Sequence, residues 1–410
     1  MYIVVTNITF FQQPTTDYPS RRAVLHYDFV TEYEASDSWA DLTNKAKITM
    51  PKNIRVRFGD GQTRPTGAGV GETDNINLGG FSDNVPLFLK GDKVTIEGGY
   101  KYFDVQGNQK VTTSVLFTGF ISQVTSKKPV VLELEDNMWK LKQIIAPNKA
   151  YPATATLEDI LRDLLAGTDF TVNALTKTTF GAFRTQNETV CEVLARLRKD
   201  YHFESYFRGN ELRSGSIVYL ESDAVVSGKK IFKFQQNIIS DELDYKRKDD
   251  IRLSAVAYSI NRKELEVTTK SGKQKTKHER LEVLVTQSDN GFISKVKPPG
   301  EKAEFAPNTA GERRTLYFWN VSTTAELTEL ATNELKKYYY TGFKGKFTTF
   351  GIPYVRMGDN VDILDDILPE RNGRYKVKAV DYQGGVNTGM RQVIHLDYLI
   401  TRLDKNGVAI

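Results

Sequence analysis

One cysteine stands among 410 residues, which excludes an internal disulfide and any cysteine-based metal cluster. That residue, Cys191, lies in the helical run TVCEVLARL, where a thiol ordinarily serves as a small buried apolar group rather than a reactive nucleophile. Histidine is scarce too. His26, His202, His278 and His395 are scattered without H-x-x-x-H or H-x-E spacing, so neither a metal nor a cofactor is expected. No apolar run approaches about 18 residues, so no membrane-spanning segment is expected. The opening MYIVVTNITFF lacks a basic n-region and a small-residue cleavage site, and reads as a first strand rather than a signal peptide. There is no G-x-S-x-G elbow and no Walker lysine behind a glycine run. GAGVGE, residues 67–72, matches a phosphate loop only in glycine count, with no strand before it and no helix after it. Nor is there a block of one charge. The 56 Lys and Arg are interleaved with 51 Asp and Glu, and a net charge of +5 gives no argument for nucleic acid.

What the chain does have is aromatic residues and strand-like runs. Its 22 Phe and 20 Tyr favour β-structure, because flat rings pack well on a pleated surface. Its length suggests two to four domains. Residues 1–145 read as strands: VLHYDFVTEYEA, AKITMP, KVTI, SVLFTGFISQV and VVLELED. AKITMP alternates Ala46, Ile48 and Met50 and stops at Pro51, which cannot donate to a ladder. Residues 57–80 are rich in glycine and turn formers and read as an exposed loop.

Helical spacing then appears. TLEDILRDLLAG sets Leu157, Ile160, Leu161, Leu164 and Leu165 on one face, with Thr156 as N-cap and Gly167 past the end. TVCEVLARLRKDYHF repeats the pattern, with Thr189 and Glu192 as a capping box. TTAELTELATNELKKYYYTG is a third helix, with Thr323 and Glu326 as its box and Gly342 as its stop. Between the second and third helices, KKIFKF, RLSAVAYSI, ELEVTTK and RLEVLVTQ are strands, with a hairpin turn at SGKQ. KVKPPGEKAEFAPNTAGE follows as a loop or linker. The expected fold is therefore mainly β, with an α+β middle domain, two similar small β-barrel domains and an inserted α+β segment. The expected spans are 1–150 for the first barrel and 151–235 for the middle domain with two short helices. Residues 236–315 form the strand-rich insertion, and 316–410 a helix followed by the second barrel.

The two barrels are expected from a repeat. KGDKVTI at residues 90–96 and MGDNVDI at 357–363 share Gly-Asp-x-Val-x-Ile, 267 residues apart. Glycine supplies the positive φ of a tight turn, and aspartate bonds backbone just beyond it. The first copy is followed by FTGFISQV and an alternating strand; the second by GRYKVKAV and another alternating strand. Four matched elements in one order indicate a duplicated β unit. Carboxylates are the remaining candidates for chemistry. Glu133 and Glu135 share a strand face beside Asp136, and Asp362, Asp365 and Asp366 cluster without EF-hand spacing. Solvated acids on strand edges and turns are the plain alternative to a glycosidase pair. Tyr338, Tyr339 and Tyr340 could stack on a base or sugar, or bury against the following barrel.

The stretch FKGKFTTFGIPYVRMGDNVDILDDILPERNGRYKVKAVDYQGGVNTGMRQVIHL resembles the C-terminal domain of bacteriophage baseplate and tail hub proteins, related to the late control D protein family. The matching positions are Gly351, Pro353, Gly358, Asp359, Val361, Ile363, Gly373, Tyr375 and Val377, with Gly91 and Asp92 in the first copy. FTGFISQV with LELEDNMWKLK is similar to the end of that family's first barrel, and the two middle helices to its middle domain. The resemblance implies a non-enzymatic structural hub in which three chains close into a ring. Each chain gives two barrels, so a homotrimer adapts a six-fold tail tube protein to a three-fold spike or tail-tip protein. It further implies a place in the virion tail, assembly in the bacterial cytoplasm, and a lumen that lets DNA pass without sequence-specific binding. A tail-associated cell-wall hydrolase is the alternative.

Overall fold

A computed structural model describes residues 2–51, 55–57, 63–65, 86–104, 106–125, 129–152, 154–176, 183–216, 229–268, 274–288, 291–296, 311–319, 321, 323–386 and 388–410. The N-terminal part supplies β1 (Tyr2–Phe11), β2 (Val24–Tyr27), β3 (Glu32–Ser38), β4 (Lys45–Thr49), β5 (Arg55–Arg57), β6 (Thr63–Pro65), β7 (Lys93–Phe103), β8 (Gln109–Val124) and β9 (Val131–Glu135). The middle supplies α1 (Met138–Leu141), β10 (Lys149–Tyr151), α2 (Leu157–Leu164), β11 (Thr171–Ala174), β12 (Phe183–Thr185), α3 (Val190–Tyr201), β13 (Glu204–Arg208) and β14 (Glu211–Gly215). After these come β15 (Ile231–Lys233), β16 (Ile238–Lys246), β17 (Leu253–Thr268), β18 (Gln274–Ser288), β19 (Gly291–Val296), β20 (Glu312–Trp319) and α4 (Thr324–Lys336). The chain closes with β21 (Gly342–Phe350), β22 (Asn360–Leu364), β23 (Gly373–Gly385) and β24 (Arg391–Arg402).

The protein is mainly β with an α+β middle, as the sequence indicates. Strand alternation places the core: β4 buries Ala46 and Ile48 and exposes Lys45 and Lys47. In the middle domain, Thr156 and Thr189 each accept a backbone N–H from the residue three on. Asp159 and Glu192 return the bond, a device worth about 1 kcal/mol per helix. Leu157, Ile160 and Leu161 of α2 and Val190, Val193, Leu194 and Leu197 of α3 then share one core. Gly167 takes φ +80° beyond α2, while α3 ends on His202 in the left-handed region.

The two β units are not separate sheets. Among the described residues the strands run β16-β21-β24-β23-β3-β4-β9-β8-β7-β1-β2-β5-β6 in one 15-stranded sheet, with β15 and β22 attached through β23. No described pairing closes either half into a barrel of its own. The join is the antiparallel pair β23–β3, from Ala379 opposite Ser38 to Gly385 opposite Glu32. Its close approach rests on Gly384, where a Cβ would lie 2.2 Å from the Tyr33 ring, so only glycine fits. One apolar core accordingly runs through both halves, from Ile8, Val94 and Ile96 to Val361, Ile363 and Tyr375.

Other elements depart from expectation for similar long-range reasons. β15 pairs with β22, and β16 with β21, so the expected boundary at 235/236 runs between two strands of the second β unit. Phe232 is held there by burial against Phe347, with ring centroids 5.2 Å apart. The third helix packs on the inserted sheet β19-β18-β17-β20, placing Leu327, Ala331 and Leu335 against Leu253, Ala257 and Val283. It ends at Lys336; Gly342 opens β21 instead of stopping the helix. RLSAVAYSI and ELEVTTK form one strand, β17, irregular between Asn261 and Leu265, and its antiparallel partner β18 gives the expected hairpin. The turn at 269–273 lies outside the described residues, as do most of the 57–80 loop and most of the 295–312 linker. Within that loop, β6 pairs with β5.

Candidate functional site

The two Gly-Asp turns repeat each other in hydrogen bonding. Gly91 and Gly358 take φ of +94° and +83°. Gly91 N–H donates to Ile121 O at 2.8 Å, and Ile121 N–H donates back to Asp92 O at 2.9 Å. In the second copy Gly358 N–H donates to Val377 O at 3.0 Å, and Val377 N–H donates to Asp359 O at 2.9 Å. Each aspartate also accepts the N–H three residues before it, Leu89 for Asp92 (2.9 Å) and Arg356 for Asp359 (2.6 Å). Val94 and Ile96, like Val361 and Ile363, then point into the common core.

Both aspartates are buried and both are paired with a buried cation that sequence pattern does not announce. The Arg21 guanidinium forks onto Asp92, Nη1 to Oδ1 at 3.0 Å and Nη2 to Oδ2 at 2.5 Å. It also donates to the carbonyls of Gln13, Pro86 and Leu87, so every face of the fork is used. In the second turn Lys230 donates to Asp359 Oδ2. A second lysine, Lys376, donates to Gly358 O at 2.6 Å, and burial holds its ammonium down at about 8, against the pull of Asp359. A carboxylate removed from water is tolerated only with such partners.

Both turns also face the middle domain. A Cβ on Gly91 would meet the Trp139 ring of α1 at 3.2 Å, and Trp139 stacks on Phe120 at 5.2 Å. Asp136, just ahead of α1, accepts Met138 N–H and Asn44 N–H (3.0 and 3.1 Å), while burial pushes its carboxyl up to about 7. At the second turn Met357 is wholly buried with Trp39 and Tyr206. Its N–H donates to Asp37 Oδ2 of β3 at 3.1 Å, and its carbonyl accepts from Arg208 of β13 at 2.5 Å. Met357 is thus gripped by the first β unit and the middle domain at once. A cleft of about 310 Å³ opens beside it, lined by Asp37, Asp136, Arg208, Tyr354 and Arg356. Asp37 and Asp136 are already committed to backbone N–H groups, which suits a joint.

Of the remaining residues of the repeat, Gly351 lies on the seam between the β units, and Pro353, Gly373 and Tyr375 pack within the second. Gly351 leaves room for Met390, whose Sδ would lie 2.4 Å from a Cβ there. Gly351 N–H donates to the Tyr100 hydroxyl at 3.1 Å, which donates to Met390 O at 2.9 Å. Pro353 follows a cis peptide bond, and its carbonyl and that of Phe350 accept from Gln392 Nε2 at 2.7 and 2.8 Å. Gly373 begins β23 where a Cβ would meet Leu399 at 2.6 Å, and the buried Tyr375 hydroxyl accepts Phe343 N–H at 2.9 Å.

The sequence candidates for chemistry are dispersed. Glu133 and Glu135 stand on the solvent face opposite Lys47 and Lys45. Asp362 takes a bidentate bond from Arg374, Asp365 accepts from Ile367 and Leu368 N–H, and Asp366 pairs with Lys233. His202 stacks on Tyr317, His395 bonds Asp381, and His26 bonds Thr9. His278's side chain lies outside the described residues. No group of three metal-ligating side chains occurs among the described residues, nor a helix long and apolar enough to cross a membrane. Tyr338 and Tyr339 pack on the inserted sheet, and Tyr340 reaches Tyr375 of the second β unit. Sequence reasoning missed Arg21, Lys230, Asp37, Arg208 and Met357; the sole signal was that a buried aspartate demands a cation from elsewhere.

No protein-family model matches the chain, and no curated protein matches it in sequence. Among solved structures it is similar to the 43 kDa tail protein of prophage MuSo2 from Shewanella oneidensis, at 13% identity and TM-score 0.49, over 96% of this chain and 98% of that one. It is also similar to the tail protein from Neisseria meningitidis MC58, at 11% identity and TM-score 0.52, over 95% and 96% of the two chains. At such identity the likeness is one of fold, and this chain shares the fold of the Neisseria tail protein along almost its whole length.

Proposed function

We propose that this protein is a structural component of a phage or prophage tail, a baseplate hub whose homotrimer adapts a six-fold tube to a three-fold spike. The observation that carries the reading is the duplicated turn, with matching backbone bonds and matching buried ion pairs on two β units of one chain. Three such chains offer six similar units around a ring, while the singular middle and inserted domains keep three-fold symmetry. The whole-length fold likeness to a tail protein supports the same reading. The ion pairs and the Met357 grip act by fixing the relative placement of the two units, so that the ring's spacing is set before partners bind.

The test is the assembly itself. Purified protein examined by analytical ultracentrifugation and negative-stain microscopy should give a trimer with a six-lobed ring face and three-fold extensions. It should also bind tube protein end-on. A chain that stays monomeric at every concentration and ignores tube protein would overturn the reading.

A further inference from the structure

The cleft beside Met357 carries more polar groups than the joint uses. Its volume of about 310 Å³ lies at the low end of the range for small-ligand sites. All three parts of the chain wall it: Asn44 and Thr118 of the first β unit, Phe207 and Arg208 of the middle domain, and Tyr354 and Arg356 of the second β unit. Donors on its wall are unspent. The half-buried Arg356 gives Nε to the Tyr354 hydroxyl at 3.2 Å, and its Cζ lies 5.3 Å from the centre of that ring. Among the described residues its Nη1 and Nη2 enter no hydrogen bond and no ion pair. Asn44 is only 6% exposed; its Oδ1 accepts Ser38 N–H at 3.0 Å, while its Nδ2 donates to no described group. The Thr118 hydroxyl likewise has no partner among the described residues.

The acceptors on the same wall are already engaged. Asp37 Oδ2 takes Met357 N–H, and the two oxygens of Asp136 take Met138 and Asn44 N–H. Burial raises both carboxyls, Asp136 to about 7, so neither offsets guanidinium charge as a solvated carboxylate would. Donors therefore outnumber acceptors in the cleft, and its charged donor is a half-buried arginine fork. The remaining wall is apolar, with Phe117, Phe207 and Val115, the last 40% exposed.

We infer that this cleft binds a carboxylate carried on a peptide segment of a partner protein, an acidic side chain beside an apolar one, with the carboxylate on the free Nη groups of Arg356. A planar guanidinium matches a carboxylate with parallel charge-assisted hydrogen bonds, which a point charge does not. Asn44 and Thr118 donate to the segment as well, and the apolar neighbour packs on the aromatic wall. A segment seated there touches both β units and the middle domain, so its binding holds all three in one arrangement. The chemistry of the cleft is independent of the ring; where the tail reading holds, the segment belongs to another tail component.

Saturation-transfer NMR on the full chain tests this with two blocked dipeptides, N-acetyl-phenylalanyl-glutamate amide and its glutamine twin, titrated through the millimolar range. The glutamate probe should bind about tenfold tighter than the glutamine probe, the margin of one charge-assisted hydrogen bond. Arg356→Gln should abolish that preference, and Arg356→Lys, which keeps the charge without the fork, should restore part of it. Thr118→Val suits a strand and should weaken the glutamate probe about threefold, so the test stands even where Arg356→Gln fails to fold. Arg162→Gln, on the exposed face of α2, should leave binding unchanged. Equal binding of the two dipeptides, or binding of neither, would overturn the site. Inorganic phosphate displacing the glutamate probe at lower concentration than free glutamate probe itself would overturn the carboxylate assignment. Either failure leaves the ring reading standing, since ultracentrifugation decides that separately.

Discussion

The two Gly-Asp turns hold the same backbone bonds in different surroundings. The first is anchored by an arginine that spans five hydrogen bonds, to Asp92 and to three carbonyls, and its strand β7 lies between long antiparallel neighbours β1 and β8. The second is anchored by Lys230, with Lys376 close by, and its short strand β22 has a parallel neighbour, β15. One turn leans on α1 through Trp139; the other is gripped by Asp37, Arg208 and the Trp39–Tyr206 pocket. A local motif therefore fixes the turn and the burial of its aspartate, and the wider chain decides which cation answers and which domain docks.

That comparison sets a graded series of tests. The largest effect is expected from Arg21→Met, which strands Asp92 in a dry site and should cost about 3–5 kcal/mol in urea unfolding. Lys230→Met should cost measurably less, because Lys376 lies near enough to Asp359 to take up part of the charge. Equal losses would mean the two anchors are energetically the same despite their chemistry.

Met357→Ala comes next. It empties a wholly buried site and should cost about 2–5 kcal/mol. Limited proteolysis should then reveal a middle domain loosened from the second turn, whereas Lys90→Ala at the corresponding first-turn position, which is exposed, should leave the digest unchanged. Gly91→Ala and Gly358→Ala force alanine into positive φ and should each cost about 1–2 kcal/mol by thermal unfolding. Gly91 should sit at the upper end because its Cβ also presses on Trp139.

A further effect is conditional on pH. Asp136 is raised to about 7 in the folded chain by burial, above its ordinary value of 3.8. Its contribution to stability is thus complete below about pH 4 and is lost as pH rises through about 7. Asp136→Asn should flatten that part of the stability profile, read as urea midpoints between pH 4 and 8. A profile unchanged by the substitution would show that Asp136 does not titrate there.

Much of the local structure was legible. Thr156 and Thr189 announce their helices because the cap, its N3 partner and the apolar face all lie within one short segment. The repeat announced the turns for the same reason. The end of α4 was misread at Gly342, because Tyr338, Tyr339 and Tyr340 leave the helix for packing partners on two different domains, which no window of sequence contains. The joining of the two β units was not legible, because β23 continues past its own unit onto β3, and a glycine that permits such an approach looks like any other glycine. The cations of the two turns were invisible, since Arg21 and Lys230 sit in segments with no periodic pattern.

By itself the sequence determined the strand alternation, the helix caps and the duplicated turn, all of them properties of neighbours along the chain, and its single cysteine excluded an internal disulfide. Only the tertiary structure decided that both halves share one sheet and one core, and that each buried aspartate finds its cation from far away. Charge neutralisation in a dry interior acts across space, where separation along the chain counts for nothing.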